Sequence, residues 1–184
     1  MTLAPSENPD ALFPADLLET DNPAKPWRIA HVKSRREKAL AGFLAKNHIG
    51  YYLPMAARKQ KSPSGRVRYS LMPVFPGYIF LKADDTDRYT ALRTNHIARI
   101  IEVPDPDTLV RELKQIRTAL TGNMPVYPVD FVSVGQRVRV KKGPMKDVEG
   151  TVIRKGRNFR LVLSVTAIAQ SVSVELDEDM VERV

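Results

Sequence analysis

Tyr78-Ile79-Phe80-Leu81 is an unbroken apolar run of strand length, and a strand without alternation has no face to offer to water. It predicts the middle strand of a sheet covered on both sides. The flanking sequence supplies neighbours and covers. Trp27–Val32 reads as a strand, and Arg35–Asn47 as a helix with Leu40, Phe43 and Leu44 on one face and Gly50 beyond its end. Tyr51–Lys59 and Val67–Ser70 read as the arms of a β-hairpin about the turn-rich Ser62-Pro63-Ser64-Gly65. Asp84–Arg93 reads as a short helix and Ile97–Val103 as a further strand. Asp105-Pro106 opens a helix to Leu120, whose buried stripe is Leu109, Leu113, Ile116 and Leu120, and Gly122 or Asn123 ends it. The class is α+β, an α/β sandwich.

Beyond this segment the texture changes. Residues 123–132, with Pro125 and Pro128, read as a linker. From Ser133 to the C-terminus, short strands recur at Arg137–Val140, Gly150–Ile153, Arg160–Val165 and Ser171–Leu176, the spacing of a small all-β barrel. At the other end, residues 1–26 hold five prolines, an acidic bias and no sustained apolar period. They read as a disordered tail. The expected domains are therefore 27–122 and 133–184.

Charge and composition narrow the function. A formal net charge of +8 and a pI near 9.8 favour a polyanionic neighbour. With no cysteine there is no disulfide, thiol nucleophile or thiolate metal site, which fits a reducing compartment. His31, His48 and His96 are too far apart for a helical ligand pair, so neither metal nor cofactor is expected. The sequence lacks G-x-x-x-x-G-K-[ST], G-x-S-x-G and H-E-x-x-H, and Glu175, Asp177, Glu178 and Asp179 read as an acidic strand end rather than a converging pair. Catalysis is not expected. No apolar run approaches the roughly 20 residues of a membrane span. Glu7, Asp10, Asp16, Glu19 and Asp21 stand where an export signal would carry Lys or Arg, so the expected place is the cytoplasm.

Two motifs make the reading specific. Phe75-Pro76-Gly77-Tyr78-Ile79-Phe80 resembles the FPGY strand of the NusG family, and Val138-Arg139-Val140 followed by Gly143-Pro144-Met145 and Gly150 resembles the KOW motif. The similarity runs from about Trp27 to the C-terminus. It implies a NusG-type N-terminal domain with a central antiparallel sheet, followed by an SH3-like KOW barrel, in a monomeric transcription elongation or antitermination factor. In the family the N-terminal domain docks on the clamp helices of the largest RNA polymerase subunit. The resemblance points to Tyr52, Pro54, Pro73, Phe75, Pro76 and Tyr78, with Arg93 as a polar anchor. Pro76-Gly77 bends the chain, and the bend is expected to present Phe75 and Tyr78 beside an apolar hollow.

The acid-free basic hairpin, Arg58, Lys59, Lys61, Arg66 and Arg68, lies next to that face, and family members sit over the transcription bubble. The hairpin is thus expected near polymerase or the non-template DNA strand, and Thr94, Asn95 and His96 align with a family loop that touches that strand. In the barrel, family members contact the termination factor Rho or a ribosomal protein, which points to Met145, Val148, Ile168 and Gln170. Here Ile168-Ala169-Gln170 replaces a Phe-Gly-Arg turn and Glu149-Gly150 an Asn-Gly. Loss of an aromatic anchor and a cation weakens the usual surface and favours a specialised, RfaH-type paralogue over a general NusG factor. The rival from another class is an RNA-binding or ribosome-associated KOW protein, which would leave the N-terminal sandwich without a purpose.

Overall fold

The computed structural model describes residues 8–61, 67–122, 125–129, 135–155, 158–177 and 180–184. They form three α-helices and antiparallel sheets, in two compact units, 1–106 and 107–184. No helix among them is long and apolar enough to cross a membrane.

The first unit is built on a five-stranded antiparallel sheet of β1 (Leu12–Phe13), β2 (Trp27–Val32), β3 (Gly50–Tyr52), β6 (Tyr78–Lys82) and β7 (Ile97–Glu102), in the order β1-β3-β6-β2-β7. The apolar run is its middle strand, and Ile79, Phe80 and Leu81 are all fully buried. One face carries Ala30, Val32, Tyr51, Ile79 and Leu81 in a single core with Leu40, Ala41 and Leu44 of α1 (Glu37–Lys46) and Ala91 of α2 (Asp85–Leu92). On the opposite face the cross-strand pairs are Trp27–Lys82, Ile29–Phe80 and His31–Tyr78. A capping box starts α2: the Asp87 N–H donates to Asp84 Oδ1 at 2.8 Å, and the Asp84 N–H to Asp87 Oδ2 at 3.4 Å.

The hairpin arms differ in length from their expected bounds. Leu53-Pro54 breaks the first extended segment, so that β3 stays in the main sheet while β4 (Met55–Lys61) leaves it to pair with β5 (Val67–Pro73) as a separate two-stranded ribbon. The Val74 N–H donates to the Pro54 carbonyl at 2.8 Å and closes the base of the ribbon.

Residues 8–26 are not a loose tail. Leu12 and Phe13 add an edge strand beside Tyr52 and Tyr51, and Leu17 and Leu18 are buried. The Tyr51 hydroxyl donates to the Asp10 carbonyl at 2.8 Å, and the Lys82 ammonium donates to the Thr20 carbonyl at 2.6 Å while lying over the Trp27 ring. Burial, with the Asp10 charge second, pushes the Tyr51 phenol up to about 12. The prolines leave the segment no helix and only a two-residue strand. They do not stop it from docking its few apolar side chains on a ready-made sheet, and that docking leaves no period in the sequence.

The second unit contains α3 (Pro106–Thr121) and six strands: β8 (Val126–Val129), β9 (Gln136–Val140), β10 (Glu149–Lys155), β11 (Asn158–Val165), β12 (Gln170–Leu176) and β13 (Val181–Arg183). Their order is β13-β9-β10-β11-β12-β8, and among the described residues the sheet does not close into a barrel. Part of the expected linker is the edge strand β8, where Pro128 costs no interior ladder bond. The Glu112 carboxylate of α3 accepts from the Thr166 N–H at 3.0 Å and the Thr166 hydroxyl at 2.6 Å. Gly150 is required by close approach: a Cβ there would stand 2.6 Å from the Val162 carbonyl oxygen.

Leu17→Ala is expected to cost about 2–3 kcal/mol, the lower part of the range for a buried leucine. Urea denaturation of the full chain checks this; an unchanged midpoint would mean that residues 8–26 do not pack as described.

Candidate functional site

The turn between β5 and β6 is fixed from three sides. Gly77 sits at φ +84°, where a side chain is strained, and the Tyr78 N–H donates to the Phe75 carbonyl at 3.2 Å. The Val32 N–H donates to the Gly77 carbonyl at 2.7 Å, which ties the turn to the end of β2. In return the Gly77 N–H donates to Glu37 Oε1 at 2.8 Å, and Glu37, the first residue of α1, is buried. A buried carboxylate that accepts a backbone N–H fixes both partners, because either one left alone would be desolvated without compensation.

This turn divides the candidate polymerase-contact residues. Tyr52, Pro54 and Pro73 are buried, and Phe75 is only 1% exposed, set edge-on to Phe80 with ring centroids 6.2 Å apart. The expectation that the bend presents Phe75 is therefore corrected. Its ring is a core side chain that anchors the turn. Pro76 and Arg93 are exposed, and Tyr78 is half-buried with its ring 5.2 Å from that of His31.

Next to the turn, the loop after α2 is held by a residue that sequence reasoning missed. The Lys33 N–H donates to the His96 carbonyl at 2.8 Å, and its ammonium to Asn95 Oδ1 at 2.6 Å. Asn95 lies at φ +57°, which Asn tolerates better than most residues. The Thr94 hydroxyl donates to the Ala91 carbonyl and accepts from the His96 N–H, so it serves the loop itself. Asn95 is exposed and His96 half-buried.

Arg58 is exposed on β4, Lys59 and Lys61 lie on the same strand and Arg68 on β5, and Arg66 is outside the described residues. Lys38 of α1 reaches the ribbon, donating to the Leu71 carbonyl at 2.5 Å and to Asn8 Oδ1 at 2.6 Å. Burial lowers its pKa, and the neighbouring Glu37 charge opposes that shift. The ribbon also exposes Tyr69 and Leu71. Their alternation about the buried Ser70 was visible in the sequence, but it could not be given a direction before the ribbon's register was known.

In the C-terminal unit, Met145, Val148 and Ile168 are buried, and only Gln170 of that group is half-buried. Those three are corrected from contact residues to core. The Asp147 N–H donates to the Val140 carbonyl at 2.8 Å and the Val140 N–H to the Val148 carbonyl at 2.9 Å, which folds the loop back over Met145. Lys141, Lys142, Pro144 and Lys146 are left outward. Ala169 lies at φ +49°, the conformation that the family's glycine would favour at this turn. Glu149 accepts from Arg139 at 2.6 and 3.0 Å, and that hydrogen bond holds its carboxyl below the usual range. Glu112 is likewise engaged, by the Thr166 N–H and hydroxyl.

A family model described as "Transcription termination factor nusG" matches residues 25–125. The transcription termination/antitermination protein NusG of Neisseria meningitidis serogroup B is 27% identical over 181 residues, 88% of this chain and 99% of that protein. A solved structure from work on domain interaction in Thermotoga maritima NusG superposes with a TM-score of 0.49 at 20% identity, over 87% of this chain and 97% of that one. With the family model spanning more than half of the 184 residues, and the FPGY turn built as described inside the matched segment, the chain belongs to the NusG family of transcription termination and antitermination factors.

Proposed function

We propose that this chain binds the clamp helices of the largest RNA polymerase subunit through Pro76 and Tyr78, with Arg93 beside them, and suppresses pausing or termination. NusG-family proteins bind RNA polymerase, and the observation that carries the residue assignment is the Glu37–Gly77 hydrogen bond. It holds a short exposed turn in one conformation, so little ordering entropy remains to be lost on docking. The mechanism is one of binding: the polymerase-binding module bridges the clamp to the opposite side of the cleft and disfavours the opened, paused enzyme.

The matched segment runs through α3, which supports assigning the polymerase-binding module to residues 27–122. Residues 133–184 form the KOW module, which recruits a second partner, a ribosomal protein or Rho. Burial of Ile168, where general factors carry an aromatic contact, supports a specialised paralogue over a general NusG protein. The basic ribbon and the Thr94-Asn95-His96 loop face nucleic acid, the non-template strand being the fitting one. In this reading the protein acts as a monomer in the cytoplasm.

Binding of the full chain to a clamp-helix fragment tests the proposal. Tyr78→Ala is expected to cost roughly 2 kcal/mol of affinity, as an interface aromatic does, with the fold retained. Phe75→Ala is expected to cost about 3–5 kcal/mol of stability instead, because it empties core volume. No binding by the wild-type chain, or equal binding by Tyr78→Ala, would reject the assigned surface. Removing the turn's acceptor gives a separate check. Glu37→Ala is expected to destabilise by about 1–3 kcal/mol through the unpaired Gly77 N–H, whereas Glu37→Gln keeps an oxygen acceptor and recovers most of that loss in urea denaturation.

A further inference from the structure

The β4–β5 ribbon carries a feature that the polymerase reading does not use. Tyr69 is 70% exposed and Leu71 37% exposed, while Ser70 between them is buried, so β5 turns two large apolar side chains to solvent. Across the ladder Lys59 is the partner of Tyr69 and the exposed Ala57 is the partner of Leu71. The charge of this stretch of sequence has one sign: no Asp or Glu occurs between Glu37 and Asp84, whereas Arg58, Lys59, Lys61, Arg66 and Arg68 all fall between residues 58 and 68.

We propose that Tyr69 is a stacking platform for a base of single-stranded nucleic acid, with Arg58, exposed on the neighbouring strand of an acid-free, basic stretch, drawing in the phosphates. A flat aromatic ring standing out of a cationic ribbon suits this ligand because every base offers a π-face and every linkage a negative charge. A duplex keeps its bases stacked on one another and has none to give. Two exposed apolar side chains are also too few to form the dry core of a protein interface. Contact of this kind reads no sequence, so the ribbon adds affinity for any unpaired strand brought to it. The inference rests on the reading of the ribbon as facing nucleic acid, and adds the residue that distinguishes single strands.

Fluorescence anisotropy of the full chain at low salt tests it, with labelled dT15, rU15 and a deoxyribose-phosphate 15-mer without bases. Tyr69→Ala is expected to weaken dT15 or rU15 about tenfold, within the range for one base on an aromatic ring, and to leave the abasic strand unchanged. Tyr69→Phe should bind as wild type does. The dT15-to-rU15 ratio then says whether DNA or RNA is preferred. A double Arg58→Ala/Lys59→Ala variant should weaken all three strands and flatten the salt dependence. If the double variant weakens binding and Tyr69→Ala does not, stacking is wrong and the cationic ribbon stands. If neither variant changes binding, or the wild-type chain binds no strand, the nucleic-acid reading of the ribbon falls and stacking with it. Loss of polymerase affinity in Tyr69→Ala with dT15 and rU15 unaffected would make Tyr69 a protein contact and overturn the proposal.

Discussion

The hydrogen bond from the Gly77 N–H to the buried carboxylate of Glu37 is the contact on which the functional geometry depends. It joins the start of α1 to the turn that enters the middle strand, and the Val32-to-Gly77 bond ties the same turn to β2. The turn is thereby fixed at one point to two elements, β2 and α1, that lie 40 or more residues earlier in the chain. Without the carboxylate, the Gly77 N–H would be desolvated and unpaired, and only the two backbone bonds would hold the turn.

The four residues of the FPGY motif do four different things. Phe75 is sealed in the core against Phe80, Pro76 is outside, Gly77 supplies the backbone angle, and Tyr78 is half in and half out beside His31. A motif match treats them as one signal. The structure separates residues whose loss damages the fold from those whose loss would damage only a contact. The same separation recurs in the C-terminal unit, where Met145 and Ile168 are core while the lysines of the intervening loop face outward.

The middle strand and α3 were legible because they carry strong apolar patterns. The unbroken run at 78–81 predicted the middle strand, and the stripe on α3 predicted Leu109, Leu113 and Ile116 as buried, with Ala119 taking the place expected of Leu120. What was not legible has a common cause. Leu12, Phe13, Leu17 and Leu18 are held by a sheet that other residues build, and Lys33 acts on a loop 62 residues away. Local pattern carries no trace of such long-range anchoring. Nor did it reveal that Phe75 faces inward, since a residue before a Pro-Gly bend reads equally well as presented or buried.

A photo-crosslinking amino acid placed at Pro76, in the full chain bound to intact RNA polymerase, tests the central claim most directly. The account predicts crosslinks to the clamp helices of the largest subunit, lost on competition with the wild-type chain. Crosslinks to another subunit alone, or none from a chain that still binds polymerase, would contradict it.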